Sequence, residues 1–216
     1  MEKIVLDNFS VDGECNLFHH GTVWDYLRRN NFEFYQGNLY GIIGEFGYGG
    51  AALSCGMTGN TDYYDGKVYI DDQESTLDHI IENSWYVGMG LKDTGRLFKK
   101  RKTIRQQIEY GVHNIKQEFD AKEIQRMFKV SEARIDRNIE FVGIERWKAS
   151  AAIGYANGKK IFCFPWMNSE DIELWKEHLL NVVGHLLDSD CIVIMPTTKE
   201  ENIKKICSEY SISYLE

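Results

Sequence analysis

The ten residues 44–53, GEFGYGGAAL, decide how the rest of the chain is read. Gly44 and Gly49 stand five apart with Gly47 between them, the spacing of a phosphate-binding loop of the form G-x-x-x-x-G-K-[ST]. In such a loop the glycines let successive backbone N–H groups point inward, the lysine reaches the outer phosphates, and the hydroxyl binds magnesium. Here Gly50 takes the lysine position, Ala51 takes the hydroxyl position, and Ala52 follows. The lost lysine contact is charge-assisted and worth about 1.5–3 kcal/mol in net terms. That predicts at least about tenfold weaker ATP binding before the magnesium loss is counted. On this stretch alone, a tight turn without a ligand explains the glycines as well as a nucleotide site does.

The flanks supply context. FEFYQGNLYGIIG (32–44) reads as one strand running into the loop, and a helix is expected from Ala51 onward. IVLDNFSVD (4–12), GKVYIDD (66–72), SWYVGMG (84–90), KIFCFPW (160–166), DCIVIMP (190–196) and SISYL (211–215) are further short apolar runs. Helical patterns separate several of them, the signature of an α/β protein with a mainly parallel sheet. Between Leu97 and Ala156 the pattern turns helical, with Ile104, Ile108, Val112 and Ile115 on one face and Ile124, Met127 and Phe128 on another. A long helix is expected from Asp171 to Leu187, burying Ile172, Trp175, Leu179, Val182, Val183 and Leu186. His178 and His185 share a face of it, and with no third ligand evident they read as exposed or interface residues rather than metal ligands.

Composition bounds the class. A chain of 216 residues suffices for one packed domain, and 43% hydrophobic residues with only two prolines exclude a disordered or proline-rich protein. The net charge of −8 speaks against generic nucleic-acid binding. Cys15, Cys55, Cys163, Cys191 and Cys207 show no C-x-x-C spacing and read as reduced thiols of a cytosolic protein. MEKIVLDNFSVDGE lacks the apolar core of a signal peptide, and no stretch approaches the ~18 apolar residues of a membrane span. The chain is expected in the cytoplasm, with any membrane role exercised through a partner.

In order and spacing the chain resembles the nucleotide-binding subunit of ATP-binding cassette (ABC) transporters, nearly end to end. GNTDYYDGKVYIDDQE is similar to that family's hairpin closing on an acidic turn, and WYVGMGLKDTGRLFKKRKTIRQQIEYG to its glutamine loop and the start of its helical subdomain. RIDRNIEFVGIERWKASAAIGYANGKKIFCFPWMNSED is similar to its signature segment, the following helix, the magnesium-site strand and the D-loop. The resemblance implies a P-loop NTPase-like α/β fold over 1–216, with an N-terminal antiparallel β part and a helical subdomain at 91–156. It places the L-S-G-G-Q signature on Phe141, Val142, Gly143, Ile144 and Glu145, the magnesium aspartate on Phe164 and the catalytic glutamate on Pro165. The glutamine-loop position falls near Gly88 or Met89, the switch histidine near Thr198, and the D-loop aspartate on Asp171; Arg146, after the signature, also matches.

Phosphoryl transfer depends on positioning and electrostatics. Loss of these groups implies a pseudoenzyme with no catalytic or metal-binding residues, and with no cofactor or only weakly bound ATP at Gly44, Gly47, Gly49, Gly50, Ala51 and Ala52. The implied role is a coupling or structural cassette subunit, peripheral at the inner face of the cell membrane. Its partners would be membrane-spanning transporter subunits and a second cassette subunit or a homodimeric copy, with no nucleic acid. Because both the loop and the signature are altered, a stand-alone regulatory or binding protein on the same scaffold is the alternative, as is a residual ATP-binding subunit.

Three local features stay open. RLFKKRKTIR (96–105) is a solvated helix entry or a cluster, including Lys99, Lys100 and Arg101, for anionic lipid or an acidic coupling loop. AKEIQRMFKVSEARIDRNI (121–139) also reads like a helix-turn-helix. Phe18, Trp24 or Tyr26 could stack on adenine, or could be core.

Overall fold

A computed structural model describes residues 1–61, 63–91, 102–116 and 118–215. The chain opens with a long hairpin, β1 (Lys3–Asn16) and β2 (Thr22–Tyr35), paired antiparallel from Lys3↔Tyr35 to Asn16↔Thr22. β3 (Leu39–Ile43) follows, buried along its whole length, and the glycine-rich loop then delivers the chain into α1 (Gly50–Met57). β4 (Tyr63–Ile70) and β5 (Gln73–Ser75) complete an antiparallel sheet of order β2-β1-β4-β5. After α2 (Leu77–Asn83) and β6 (Ser84–Tyr86), the described residues form the α-helices α3 (Ile104–Ile115), α4 (Ala121–Met127), α5 (Glu132–Ile135) and α6 (Arg146–Ala156). β7 (Ile161–Cys163), α7 (Ser169–Asp188), β8 (Ile192–Thr197), α8 (Glu200–Lys204) and β9 (Ser211–Tyr214) finish the fold. The second sheet has the order β6-β7-β8-β3-β9, with every pair parallel.

The period-2 alternation of the parallel strands divides the core. Leu39, Ile43, Phe162, Phe164, Val193 and Met195 face the layer formed by α3, α6 and α7. Tyr40, Ile42, Ile161, Cys163, Ile192 and Ile194 face α1 and the antiparallel sheet. α7 buries the six residues its spacing predicts, Ile172, Trp175, Leu179, Val182, Val183 and Leu186. A capping box in which Asn168 accepts from the Glu170 and Asp171 amides fixes its start.

Several expectations need correction. The run 32–44 is not one strand: it ends β2, turns through Gly37 at φ 73°, and starts β3 in the other sheet. The Tyr40 hydroxyl accepts the Tyr35 amide at 2.6 Å and ties the two ends of this turn together. The helix-turn-helix reading fails because α5 is a single turn of four residues, too short to serve as a recognition helix. Ile115 is exposed rather than packed with Ile104 and Ile108. Residues 96–101 of the basic run lie outside the described residues; beyond them, Lys102 sits over the Tyr110 ring at 4.2 Å and Arg105 pairs with Asp136 at 2.7 Å. Cys15, Cys55, Cys163 and Cys191 are buried free thiols, and Cys207 is half-buried. Among the described residues no helix is long and apolar enough to cross a membrane.

Candidate functional site

The loop 44–49 emerges where the parallel strands end at their carboxyl edge, the usual ligand edge of an open α/β sheet. The Gly44 amide donates to Thr197 on β8 at 3.0 Å, and Tyr48 donates to Glu45 at 3.2 Å. Gly47 and Gly49 adopt left-handed φ of 89° and 97°. At Gly49 a Cβ would stand 2.4 Å from the Leu27 Cα, so the approach of β2 admits only glycine.

Gly49 also caps α1 and has no side chain to do it with. Asp25 of β2, only 3% exposed, supplies the missing acceptor. Its Oδ1 accepts the Gly49 amide and its Oδ2 the Ala52 amide, both at 3.0 Å. The amides of Gly50 and Ala51 make no hydrogen bond among the described residues. A helix start with free amides favours an anion.

Bulk rather than charge surrounds the position next to those amides. The Trp166 indole donates to the Gly44 carbonyl at 3.1 Å, and the Phe46 ring packs edge-on against it with centroids 5.4 Å apart. A Cβ on Gly50 would lie 2.9 Å from the Pro196 Cβ and 3.4 Å from the Trp166 Cδ1. Phe164 is fully buried, its amide donating to Ile194 at 2.8 Å, and Pro165 is buried beside it. The carboxylates that do face this edge are Glu45 and Glu170, across an open cleft of about 430 Å³ that Asn168, Ser169, Thr198 and Lys199 also line. Thr198 lies 3.4 Å from the Ser169 hydroxyl and accepts from Asn202 at 3.2 Å.

Phe18 sits in the hairpin tip, 17–21. Phe18 lies between Tyr86 and Trp147, with centroids at 5.9 and 5.7 Å, and the Arg146 guanidinium sits over its ring at 4.8 Å. This ring is occupied by packing. Trp24 and Tyr26 point outward from β2, and Tyr26 lies beside Gly47 and Tyr48. Gly88, at φ 106°, leaves no room for a side chain, since a Cβ would meet the Phe18 ring at 2.4 Å. Buried Ser150 holds this segment: its hydroxyl accepts from the Gly88 amide at 2.7 Å and the Trp85 indole at 2.9 Å, and donates to the Met89 carbonyl at 2.7 Å.

Phe141–Glu145 forms two short 3-10 turns. Phe141 and Ile144 are exposed and Val142 is buried; Gly143 turns at φ 52°, and Arg134 donates to the Val142 carbonyl. Glu145 accepts the Ser131 amide at 2.9 Å, so it faces the helical layer. Asp171 receives the Asn168 amide at 3.2 Å and lies 2.7 Å from His20 Nε2. His19 stacks on Trp175 at 5.0 Å, and burial pushes its imidazole below the ordinary value, as it does that of His178.

No protein-family model matches the sequence, and no curated protein matches it. Solved structures do match. A putative ABC transporter ATP-binding protein from Pyrococcus furiosus superposes with a TM-score of 0.65 at 11% identity, over 99% of this chain and 97% of that one. A bacterial ABC transporter cassette solved as a dimer gives 0.61 at 18% identity, over 98% and 94%. The chain has the fold of an ABC transporter ATP-binding cassette. A third cassette, cbiO1 from Clostridium perfringens, described as part of the ABC transporter complex cbiONQ, gives 0.62 at 14% identity over 98% and 85%.

The glycine loop runs directly from β3 into α1, and Asp171 lies in the first turn of α7. Asp25, Ser150, Trp166 and His20 form the contacts that the sequence reading missed. A buried aspartate within an exposed aromatic strand and a serine within a small-residue helix carry no spacing signal; only the pairing of distant segments reveals them.

Proposed function

We propose that this cassette is a coupling subunit of an ABC transporter that engages membrane-spanning partners, pairs with a second cassette, and does not itself hydrolyse ATP. Such a subunit would sit at the inner face of the cell membrane through its partners. The match to a cassette solved as a dimer and to one described as part of a transporter complex supports the partner kinds. The observation that carries the reading is at Gly50: the lysine position has no side chain, and Pro196 and Trp166 crowd the space beside it. Phe164 and Pro165 stand at the magnesium-site positions and contribute no carboxylate. Free amides at Gly50 and Ala51 leave room for at most a weakly held phosphate.

Tagged protein recovered from native membranes tests this reading. Co-elution of a membrane-spanning chain and a second cassette is expected, and purified protein alone should release no phosphate from magnesium ATP. Turnover that Gly47→Ala, a substitution into open space, abolishes without unfolding the chain would refute it.

A second reading, a stand-alone regulatory or binding protein acting as a homodimer, draws on the stretch Phe141–Glu145. That stretch offers one glycine and no serine to a facing loop, while exposing Phe141 and Ile144. Recovery of the chain without membrane partners favours this reading.

A further inference from the structure

The antiparallel sheet turns one face to the core and the other to solvent, and its solvent face carries aromatic residues where polar ones are the rule. Trp24 is 65% exposed, whereas Trp85, Trp147, Trp166 and Trp175 are buried; Tyr63 is 62% exposed and Tyr26 46%. Strand register sets these rings around two carboxylates. Asp12 of β1 stands opposite Tyr26 of β2 on one side and opposite Tyr63 of β4 on the other, and Glu14 stands opposite Trp24. Residues paired across an antiparallel ladder share a face, so these five side chains lie together on the outer one. The intervening pair, Val11 and Leu27, is buried on the inner one. Neither Asp12 nor Glu14 has an ion-pair partner among the described residues. Arg29 is spent on Asp65 at 3.0 Å, and Arg28 follows Tyr26 on the side of Gly47 and Tyr48.

We infer that this face docks an extended segment of a partner protein that carries arginine or lysine at alternate positions. Asp12 and Glu14 are two residues apart on one strand, about 7 Å, which is also the interval between side chains i and i+2 of an extended segment. Each cation of such a segment meets one carboxylate. Tyr26, Tyr63 and Trp24 stand beside the same two points and add cation–π attraction, and the aliphatic stems of arginine or lysine cover part of the exposed rings. Charge complementarity thus selects a basic occupant, and the open face with two carboxylates in line selects a segment that spans both over a single small cation. The site uses no residue of the glycine loop and is independent of the transporter reading.

Tryptophan emission of the purified full chain tests this, titrated with a blocked threonine hexapeptide that carries two arginines at alternate positions. A saturable change below about millimolar concentration is expected, and Trp24→Phe should abolish it. The same composition with the arginines three apart turns them to opposite sides of an extended segment and should bind about three- to tenfold more weakly. Asp12→Asn should weaken the first peptide by a similar factor and bring the two peptides to equal affinity. Tyr63→Ala should weaken binding while leaving the thermal unfolding midpoint unchanged, because that ring is mostly exposed. Absence of saturation overturns the inference, as do equal affinities of the two peptides for the parent chain or binding undiminished in Asp12→Asn. A response that survives Trp24→Phe overturns it by placing the peptide elsewhere, and choline binding as tightly as the peptide overturns it by making the face a site for a small cation.

Discussion

The Asp25 carboxylate spans the start of α1, one oxygen on the Gly49 amide and the other on the Ala52 amide, each at 3.0 Å. A strand of the antiparallel sheet thus caps a helix that its own sequence leaves uncapped. Asp25→Ala would bury two amides without acceptors and is expected to cost about 2–4 kcal/mol, while Asp25→Asn, which keeps one oxygen, should cost less. Urea unfolding of the two variants gives the order, and equal midpoints for Asp25→Ala and the parent chain would remove the capping role.

Gly47 and Gly49 share a backbone conformation and differ in surroundings. Gly47 faces open space, so Gly47→Ala should cost only the left-handed strain, about 1–2 kcal/mol. Gly49→Ala adds a collision with the Leu27 backbone and should cost at least about 3 kcal/mol, or prevent folding. Comparable denaturation midpoints for the two variants would contradict this difference.

Ser150 serves three groups on the segment Trp85–Met89. Ser150→Ala strands the Trp85 indole and the Gly88 amide inside the core, and about 2–4 kcal/mol of stability should be lost. Indole fluorescence should shift as well, since Trp85 loses its acceptor. An unaltered emission maximum together with unaltered stability would argue against the network.

Acidity should lower the stability of the fold. His19 faces Asp171, Arg146 and His20, and His178 faces Lys148, Glu145 and Glu177; burial holds both imidazoles below their unfolded value. Neither costs stability while both states are neutral. As pH falls through about 6.5 the unfolded chain takes up protons first, so stability declines and then levels off once the native rings also protonate. Urea midpoints at pH 7.5 and 5.5 should therefore differ, and His178→Phe should narrow the gap. A gap of the same size in the variant would rule out His178 as a source.

Much of this was legible from residue order. β3, its glycine loop and α1 announce themselves through an apolar run followed by glycines, and α7 through its 3.6-residue spacing. Residues 22–31 were not read as strand because the pattern is inverted: Asp25 points inward while Trp24, Tyr26 and Arg28 point out. An aspartate is buried there because loop amides await it, a reason that lies in a different segment. The break at Gly37 was hidden by apolar residues on both sides. In the same way, nothing in the order of residues around Phe164 and Asp171 hints that Trp166 reaches back to Gly44.

The closeness of Phe18 to Gly88 ties three parts of the fold to one position. A side chain at residue 88 would have to displace the Phe18 ring, and with it the ring's contacts to Tyr86, Trp147 and the Arg146 guanidinium, so the hairpin tip, the segment after β6 and α6 would all feel that one substitution.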